Sequence, residues 1–408
     1  MIHQHTLPNG LVLLAEPMED VRSATVCFMF PAGAAHDPAG KSGMAGILAD
    51  IMTRGAGDRD NRALTTAFDS LGVDRSESVD TLNLWFSGST LGRNIPAAVD
   101  LFADMIRRPT FPEAELDPIK ALALHDIESL EDSPQDKVML ELRKRYYPEP
   151  LNADKLGTAE GIEAITIGSL KAQWAERIRP NGAILSIAGN FDWSKFRDQI
   201  ESRFSDWAPG PASEVAPAAF SPNSDHLGKD TQQTQIAVAY PGASIRDPDY
   251  YAARGMVGVL SGGMSSRLFT EVREKRGLCY SVFASHETSK SMAAVVGYAG
   301  TRNERAQETL DVMAAEMKKV REGVTADEID RVKAGLKSSL IMRQESTAAR
   351  AGTIVSDQFL LGRVRSFDEI QAAIDSLTPS AVAEYAARWP ADHLTVVTLG
   401  PKPLTLPH

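Results

Sequence analysis

The 408-residue chain has little of what builds disulfide scaffolds, membrane anchors or basic surfaces. It holds two cysteines, Cys27 and Cys279, which fall in predicted strands of different halves. Two such residues exclude a disulfide framework and predict reduced core thiols, as in a cytoplasmic protein. No apolar run is long enough to span a bilayer. The opening MIHQHTLPNG has neither the pattern of a signal peptide nor that of a transit peptide. We therefore expect a cytoplasmic protein with no membrane segment.

Positive charge is also scarce. The chain carries 43 Lys and Arg against 54 Asp and Glu, a formal net charge of −11. This balance argues against nucleic acid as the main partner and is compatible with cationic peptides. Hydrophobic residues make up 43% of the sequence, which is enough for two cores.

Histidine, the usual metal ligand, is sparse and scattered. Of the eight histidines, His125 with Glu128 or Ser129 comes nearest to a ligand spacing, and a solvated histidine on a helix face is the ordinary explanation. The sequence has no Gly-x-Ser-x-Gly elbow, and Gly258–Gly263 lacks the Lys-Ser/Thr of a phosphate loop. The residues thus give no serine-hydrolase or nucleotide-binding motif.

The sequence is duplicated. Four segments of the first half recur in the same order in the second: Phe30–Pro38 with Tyr240–Pro248, Gly43–Leu48 with Gly255–Leu260, Glu115–Ala121 with Glu328–Ala334, and the stretch from Arg179 with that from Trp389. Two equivalent domains explain this order. We predict an N-terminal domain at 1–207, a linker rich in Pro, Ala and Ser at 208–229, and a C-terminal domain at 230–408.

Each half mixes strands and helices without strict alternation. Ser23–Phe30 and Gln233–Tyr240 are apolar β-branched runs, and Pro8-Asn9-Gly10 predicts a tight turn between two short strands. Glu113–Leu130 and Thr325–Ile341 have the pattern of long amphipathic helices, the second with a capping box of Thr325 and Glu328. The pattern predicts an α+β fold: two homologous domains, each a mainly antiparallel sheet with helices packed on one face. The other sheet face, or an edge, would be available to a partner.

One segment stands out for chemistry, Gly262–Phe283. Ser265 or Ser266 is a candidate N-cap, and Gly277 is placed to end the helix. Leu268, Val272 and Phe269 supply its apolar stripe. A strand follows, so Arg273 in the last helical turn and Tyr280 in the strand could reach one groove. The ordinary alternative is a surface Arg and a half-buried strand Tyr.

These features together resemble the M16 (pitrilysin-type) metallopeptidase family, specifically its two-domain M16B branch. The resemblance rests on the GGMSSRLF…VREKRGL…Y run, the LPNGL opening and the stretch Glu131–Pro134. It implies two domains of the M16, LuxS-like metallohydrolase-type fold. The branch includes the mitochondrial processing peptidase and the core proteins of the respiratory bc1 complex.

The resemblance also implies a lost metal site. Active members carry His-x-x-Glu-His on the first helix, where two histidines hold zinc and the glutamate activates a water. In this chain Gly46 takes the position of the first histidine, Ala49 that of the glutamate and Asp50 that of the second histidine. The downstream ligand position falls on or next to Asp126. We therefore expect no zinc in this chain. A weak hard-cation site at Asp50 and Asp126 stays open.

The second half of the family's active site is retained. An Arg and a Tyr seven residues apart match Arg273 and Tyr280. The resemblance implies that the Arg holds a substrate carbonyl and the Tyr donates to the developing oxyanion. Gly262, Gly263, Met264 and Ser265 would let a peptide backbone approach, or would only join two helices.

We thus expect the non-zinc subunit of a heterodimeric M16B peptidase, a pseudoenzyme that is inactive alone. Its partners would be a zinc-motif-bearing M16B subunit and a peptide or unfolded polypeptide. The alternatives are a non-catalytic scaffold resembling the bc1 core proteins and a self-associating peptide-binding module. A companion chain carrying His-x-x-Glu-His would favour the first reading.

Overall fold

A computed structural model describes residues 2–211, 215–290 and 292–406. Its strands are β1 (His3–Thr6), β2 (Val12–Pro17), β3 (Ser23–Phe30), β4 (Gly55–Ala56), β5 (Arg59–Asp60), β6 (Asp74–Val79), β7 (Leu84–Leu91), β8 (Ile184–Gly189), β9 (Asp225–Gly228), β10 (Gln233–Pro241), β11 (Cys279–Thr288), β12 (Ala293–Arg302) and β13 (Thr395–Gly400).

The α-helices are α1 (Met44–Met52), α2 (Asn61–Ser70), α3 (Ile95–Arg107), α4 (Leu116–Leu130), α5 (Pro134–Tyr146), α6 (Ala159–Glu163), α7 (Ile167–Arg177), α8 (Trp193–Phe204), α9 (Tyr250–Ser261), α10 (Ala306–Lys319), α11 (Ala326–Gln344), α12 (Thr347–Leu361), α13 (Phe367–Asp375) and α14 (Pro379–Arg388). A π-helix, Phe269–Glu274, lies between α9 and β11.

Two sheets share one topology, which confirms the α+β fold of two equivalent domains. The first sheet has the order β1-β2-β8-β3-β7-β6 and the second β11-β12-β10-β13-β9. Each sheet has one parallel pair, β2 with β8 in the first and β9 with β13 in the second. Starting from the parallel pair, the order β2-β8-β3-β7-β6 in the first sheet corresponds strand by strand to β9-β13-β10-β12-β11 in the second. The repeated segments of the sequence therefore fold into repeated structure.

Local sequence explains where several elements begin. Leu7 and Leu11 close the predicted tight turn between β1 and β2 through a backbone hydrogen bond of 2.9 Å. Thr325 and Glu328 form the predicted reciprocal cap of α11: the Thr325 amide donates to Glu328 Oε2 at 2.8 Å, and the Glu328 amide donates to Thr325 Oγ1 at 3.2 Å.

The two halves exchange a helix. One compact unit comprises Met1–Ser129, Glu149–Ala218 and Arg343–Phe359, and the other comprises Leu130–Pro148, Ala219–Met342 and Leu360–His408. Most of α12 therefore belongs to the unit built from the first half, and α5 belongs to the other unit. The predicted domains 1–207 and 230–408 follow the order of the repeats along the sequence, and they stay a prediction. Within the predicted linker, 225–228 form β9, and 212–214 lie outside the described residues.

The exchanged helix α12 covers a sheet face that the sequence left open. Thr25 on β3 and Ser186 on β8 bond to Thr347 and Ala351 of α12, each at 2.8 Å. Their strand neighbours point the other way, because side chains alternate across a strand. Both faces of the central strands are thus buried, and the expectation of an exposed sheet face is wrong there.

Each unit has its own apolar core. In the first unit, Phe102 of α3 lies between Phe28 on β3 and Phe68 on α2, with ring centroids 5.6 and 5.0 Å away. Cys27 is buried in the same sheet, as predicted for a core thiol, and burial raises its thiol pKa to about 12. In the second unit, Val238 and Tyr240 of β10 pack in the core beneath α9 and α14.

Candidate functional site

Most of the expected helix around Arg273 is a π-helix. The Lys275 amide donates to the Thr270 carbonyl five residues earlier at 2.9 Å, which is π spacing. Leu268 and Val272 are fully buried and Phe269 is half-buried, so the predicted apolar stripe is confirmed for the first two residues. The helical residues begin at Arg267, directly after Ser266, yet no side-chain capping bond forms at the helix start among the described residues.

The chain turns sharply at the end of this helix. Gly277 has φ +57°, the left-handed conformation that a helix-ending glycine provides. Its amide donates to the Arg273 carbonyl at 3.0 Å, and the Leu278 amide donates to the Val272 carbonyl at 3.0 Å. These two bonds fold β11 back toward the helix, so Tyr280 returns to Arg273.

Tyr280 occupies a β-bulge. On the neighbouring strand, Cys279 pairs with Thr301 and Ser281 pairs with Gly300, so Tyr280 has no opposing residue. A bulge redirects a side chain out of the regular alternation. Tyr280 is 82% exposed although its strand is part of a sheet. The alternative of a half-buried strand tyrosine is therefore wrong.

The guanidinium of Arg273 lies between two aromatic rings. Its Cζ atom is 5.0 Å from the Tyr280 ring centroid and 4.7 Å from that of Phe269. Both distances are typical of cation–π contacts. The structure thus brings Arg273 and Tyr280 together at one surface, as the sequence predicted, and adds Phe269 beneath the guanidinium.

Arg273 remains available because its neighbours take the nearby carboxylate. Glu271 accepts from Lys275 Nζ at 2.6 Å and from Arg276 Nη1 at 2.8 Å. These two hydrogen bonds lower the pKa of Glu271. Within 2–211, 215–290 and 292–406, Arg273 makes no ion pair. Its charge can therefore act on a ligand.

A second arginine fixes the helix in place. Arg267 donates through Nε to Glu328 Oε1 at 2.7 Å and through Nη2 to Oε2 at 3.0 Å. It also donates to the Gly323 carbonyl at 2.8 Å. The sequence identified Glu328 only as a cap of α11. Its second role, tying the π-helix to α11, left no signal in local spacing because the partners are far apart in the chain.

A groove opens beside Tyr280. Its volume is about 640 Å³, and its lining includes Gly277, Tyr280, Gly300, Arg302 and Arg305. Cys279 also lines it and is only half-buried, so the expectation of a core thiol is wrong for this residue. Partial burial still raises the pKa of the thiol to about 11, although the charge of Arg273 opposes the shift. The thiol therefore stays protonated near neutral pH, and the phenol of Tyr280 is the exposed donor.

The glycine pair before the helix has two different roles. A Cβ atom on Gly262 would lie 2.4 Å from the Gly258 carbonyl oxygen, so glycine is needed to end α9. Gly263 has φ +141° and open space around it. Met264 is 80% exposed and Ser265 is exposed as well. Substrate contact by Gly262–Ser265 stays a prediction.

The residues that the resemblance matches to the metal motif lie on α1. Ala49 is buried in the core, Gly46 is half-buried, and Asp50 is ion-paired to Arg54 at 2.7 Å. Asp126 is exposed on α4. Zinc favours imidazole and thiolate ligands, and a carboxylate already bound to a guanidinium does not fit it. Among the described residues, no group of three His, Cys, Asp or Glu could hold a metal ion.

An aspartate absent from the sequence prediction fixes the start of α1. Asp37 accepts from the Gly43 amide at 2.7 Å and from the Ala45 amide at 2.9 Å. Burial raises its pKa to about 6, and the backbone amides of α1 oppose that shift. Asp37 precedes α1 by several residues, outside the usual N-cap spacing, which is why local pattern did not reveal it.

The fold and this surface define a class, the two-domain peptidases of the M16 type. Residues 12–159 match the model of insulinase (peptidase family M16), and residues 164–336 match that of the peptidase M16 inactive domain. The chain belongs to the peptidase M16 family. No helix within the described parts of the chain is long and apolar enough to cross a membrane.

Named relatives and solved structures agree with this assignment. An uncharacterized zinc protease of Streptomyces coelicolor is 29% identical over 397 residues, covering 94% of this chain and 86% of the relative. One of Bacillus subtilis is 28% identical over 375 residues, covering 91% of each. The fold matches a peptidase M16 inactive domain from Pseudomonas fluorescens with a TM-score of 0.91 and 24% identity, covering 100% of this chain and 99% of that one. It also matches a protease from Helicobacter pylori with a TM-score of 0.88 and 20% identity, covering 98% and 99%.

Proposed function

We propose that this chain is the non-zinc subunit of a heterodimeric M16B metallopeptidase. It would present Arg273 and Tyr280 to a peptide bound at the zinc site of a second subunit that carries His-x-x-Glu-His. The observation that carries the proposal is the pairing of an exposed phenol with an arginine that has no carboxylate partner among the described residues. Such a pair has no role in its own unit that would require its exposure.

Each side chain suits a different part of acyl transfer. The guanidinium of Arg273 has a permanent positive charge and several donors, which fit a substrate carbonyl. The phenol of Tyr280 is a neutral donor that can point at an oxygen as negative charge grows on it. A single donor of this kind contributes about 2–4 kcal/mol to transition-state stabilisation. Zinc held by the partner would supply the activated water.

The bulge and the glycine turn support this role because they fix the pair on a rigid element. Tyr280 is directed outward by the β11 bulge, and Arg273 is held between two rings. Sites built on strands and helices hold geometry more tightly than sites on loops. An accidental surface contact would not need the π-helix, the left-handed Gly277 and the bulge in one stretch.

Reconstitution tests the proposal. The purified chain should leave an unfolded polypeptide intact, and mixing it with a zinc-motif M16B subunit should produce cleavage. Arg273→Ala and Tyr280→Phe should each lower turnover by about 10²-fold or more while the complex still forms. Arg388→Ala is the matched control, because Arg388 is an exposed arginine of the same unit that pairs with Asp249 and does not line the groove beside Tyr280. Equal turnover of both variants and the control would refute the roles.

The same experiment separates the alternatives. A scaffold would assemble with its partner yet cleave at the same rate in all three variants. A self-associating peptide-binding module would form a homodimer that binds peptide without any zinc subunit. Size-exclusion chromatography with light scattering distinguishes these assemblies before activity is measured.

A further inference from the structure

An ion-pair cluster occupies the position of the lost metal motif. Arg54, just past the end of α1, donates through Nε to Asp50 Oδ1 at 2.7 Å. Its Nη1 lies 3.8 Å from Oε2 of Glu115, the residue before α4. One guanidinium therefore pairs with two carboxylates from separate segments of the chain. Both carboxylates have Arg54 as their only salt-bridge partner among the described residues.

The neighbouring strand adds a third carboxylate. Glu77 of β6 lies 3.9 Å from Arg75 Nε. Burial raises the pKa of Glu77, the Asp50 charge adds to that rise, and the charges of Arg75 and Arg54 oppose it. Asp50, Glu77 and Arg54 are thus within electrostatic range of one another. Asp50 and Glu115 therefore pair with Arg54, and Glu77 pairs with Arg75 nearby.

We propose that Arg54 is the resident cation of this position. The resemblance matches Asp50 to a metal-binding histidine, and here the guanidinium of Arg54 binds the Asp50 carboxylate and reaches Glu115. A guanidinium is always charged, so it neutralises the cluster without any bound ion. The names of the zinc protease relatives therefore do not extend to this unit. This role of Arg54 belongs to the first unit alone and holds whether or not Arg273 and Tyr280 act on a peptide.

The pair of Arg108 and Asp104 is an ordinary surface ion pair that differs from the Arg54 cluster. Arg108 pairs with Asp104 at 2.7 Å with the same four-residue spacing, and Asp104 also pairs with Arg59 at 3.2 Å. There two guanidinium groups share one carboxylate. At Arg54 one guanidinium serves two carboxylates. Removing Arg108 leaves a neutralised carboxylate, whereas removing Arg54 leaves two carboxylates without their cation.

The cluster is accessible to ions from solution. Arg54 and Glu115 line an open pocket of about 710 Å³. Added cations can therefore reach the carboxylates once the guanidinium is removed. This access allows a test of charge separately from packing.

The test compares Arg54→Met, Arg54→Lys and the control Arg108→Met in the full chain. Methionine keeps the apolar stem of the side chain and removes its charge. We expect Arg54→Met to lower the Tm by about 2–6 °C, since 1 kcal/mol shifts a domain of this size by about 2–4 °C. Arg54→Lys should have a Tm close to that of the wild type, and Arg108→Met should change the Tm by less than about 1 °C. Millimolar Ca²⁺ should raise the Tm of Arg54→Met and leave the wild type unchanged.

Three results would overturn the proposal. The first is stoichiometric metal in the dialysed wild type that is lost in Asp50→Asn, measured by elemental analysis. The second is an Arg54→Met variant as stable as the Arg108→Met control. The third is a loss of Tm in Arg54→Met that Ca²⁺ does not reduce, which would assign the effect to packing.

Discussion

Arg267 and Glu328 form a two-point ion pair that ties the Arg273-bearing helix to the start of α11. The two bonds measure 2.7 and 3.0 Å, and both side chains are largely buried. The pair also completes the cap of α11, because Glu328 accepts from the Thr325 amide. Arg267 therefore positions Arg273 without touching it.

The first prediction is a pH dependence from this pair. The hydrogen bond from Arg267 lowers the pKa of Glu328 to about 2, below its ordinary value of 4.5. A lowered carboxyl pKa adds stability that is fully present above about pH 4.5 and is lost as pH falls toward about 2. Glu328→Gln should remove this contribution and lower the free energy of unfolding by about 1–2 kcal/mol at pH 7. It should also weaken the loss of stability as pH falls below about 4.5. Urea unfolding from pH 7 to pH 2.5 measures it.

Glu322→Gln provides the control because Glu322 is a neighbouring carboxylate with no ion pair among the described residues. An equally steep loss of unfolding free energy toward pH 2.5 in the wild type and in Glu328→Gln would contradict the assignment.

The second prediction concerns Gly277. Its φ of +57° suits glycine, and nothing lies within 4 Å of an added Cβ, so backbone strain is the main cost of a substitution. Gly277→Ala should lower stability by about 1 kcal/mol, and Gly277→Asn should cost less because Asn tolerates the left-handed region. Thermal melts rank the three proteins.

In the reconstituted peptidase, Gly277→Ala should also lower turnover more than Gly277→Asn, because the turn sets the distance from Arg273 to Tyr280. Equal stability of the Ala and Asn variants would show that the strained turn is not retained.

The third prediction follows from the exchanged helices. Residues 1–229 lack α12, whose Ala351, Ile354 and Val355 are fully buried. They also lack Arg350, which is 5% exposed and donates to Glu16 at 2.7 Å. Breaking such a buried pair costs about 3–5 kcal/mol. We expect 1–229 expressed alone to be insoluble or to bind a hydrophobic dye, and co-expression with 230–408 to restore folded protein. A soluble, cooperatively unfolding 1–229 would contradict this account.

The sequence predicted those parts of the fold and site that depend on local spacing or on the internal repeat. Thr325 with Glu328, Gly277, and the buried Leu268 and Val272 each follow from a pattern within a few residues. The common topology of the two sheets follows from the four repeated segments.

The missed features depend on contacts between distant residues or on small changes in register. The π spacing and the bulge at Tyr280 each add one residue to a regular element, and periodicity does not detect a single insertion. The exchange of α5 and α12 is invisible because equivalent repeats carry equivalent helices. Asp50 and Arg54 had a detectable signal, their four-residue spacing across the end of α1.

The most direct test of the central claim is the rate of peptide cleavage by the reconstituted complex with Tyr280→Phe. This change removes one hydroxyl that is exposed and makes no hydrogen bond among the described residues, so folding and assembly should be unaffected. The account predicts that kcat falls by about 10²-fold or more while KM changes by less than about threefold, as expected for a donor used only in the transition state. A kcat equal to that of the wild type, in a complex of normal stoichiometry, would contradict it.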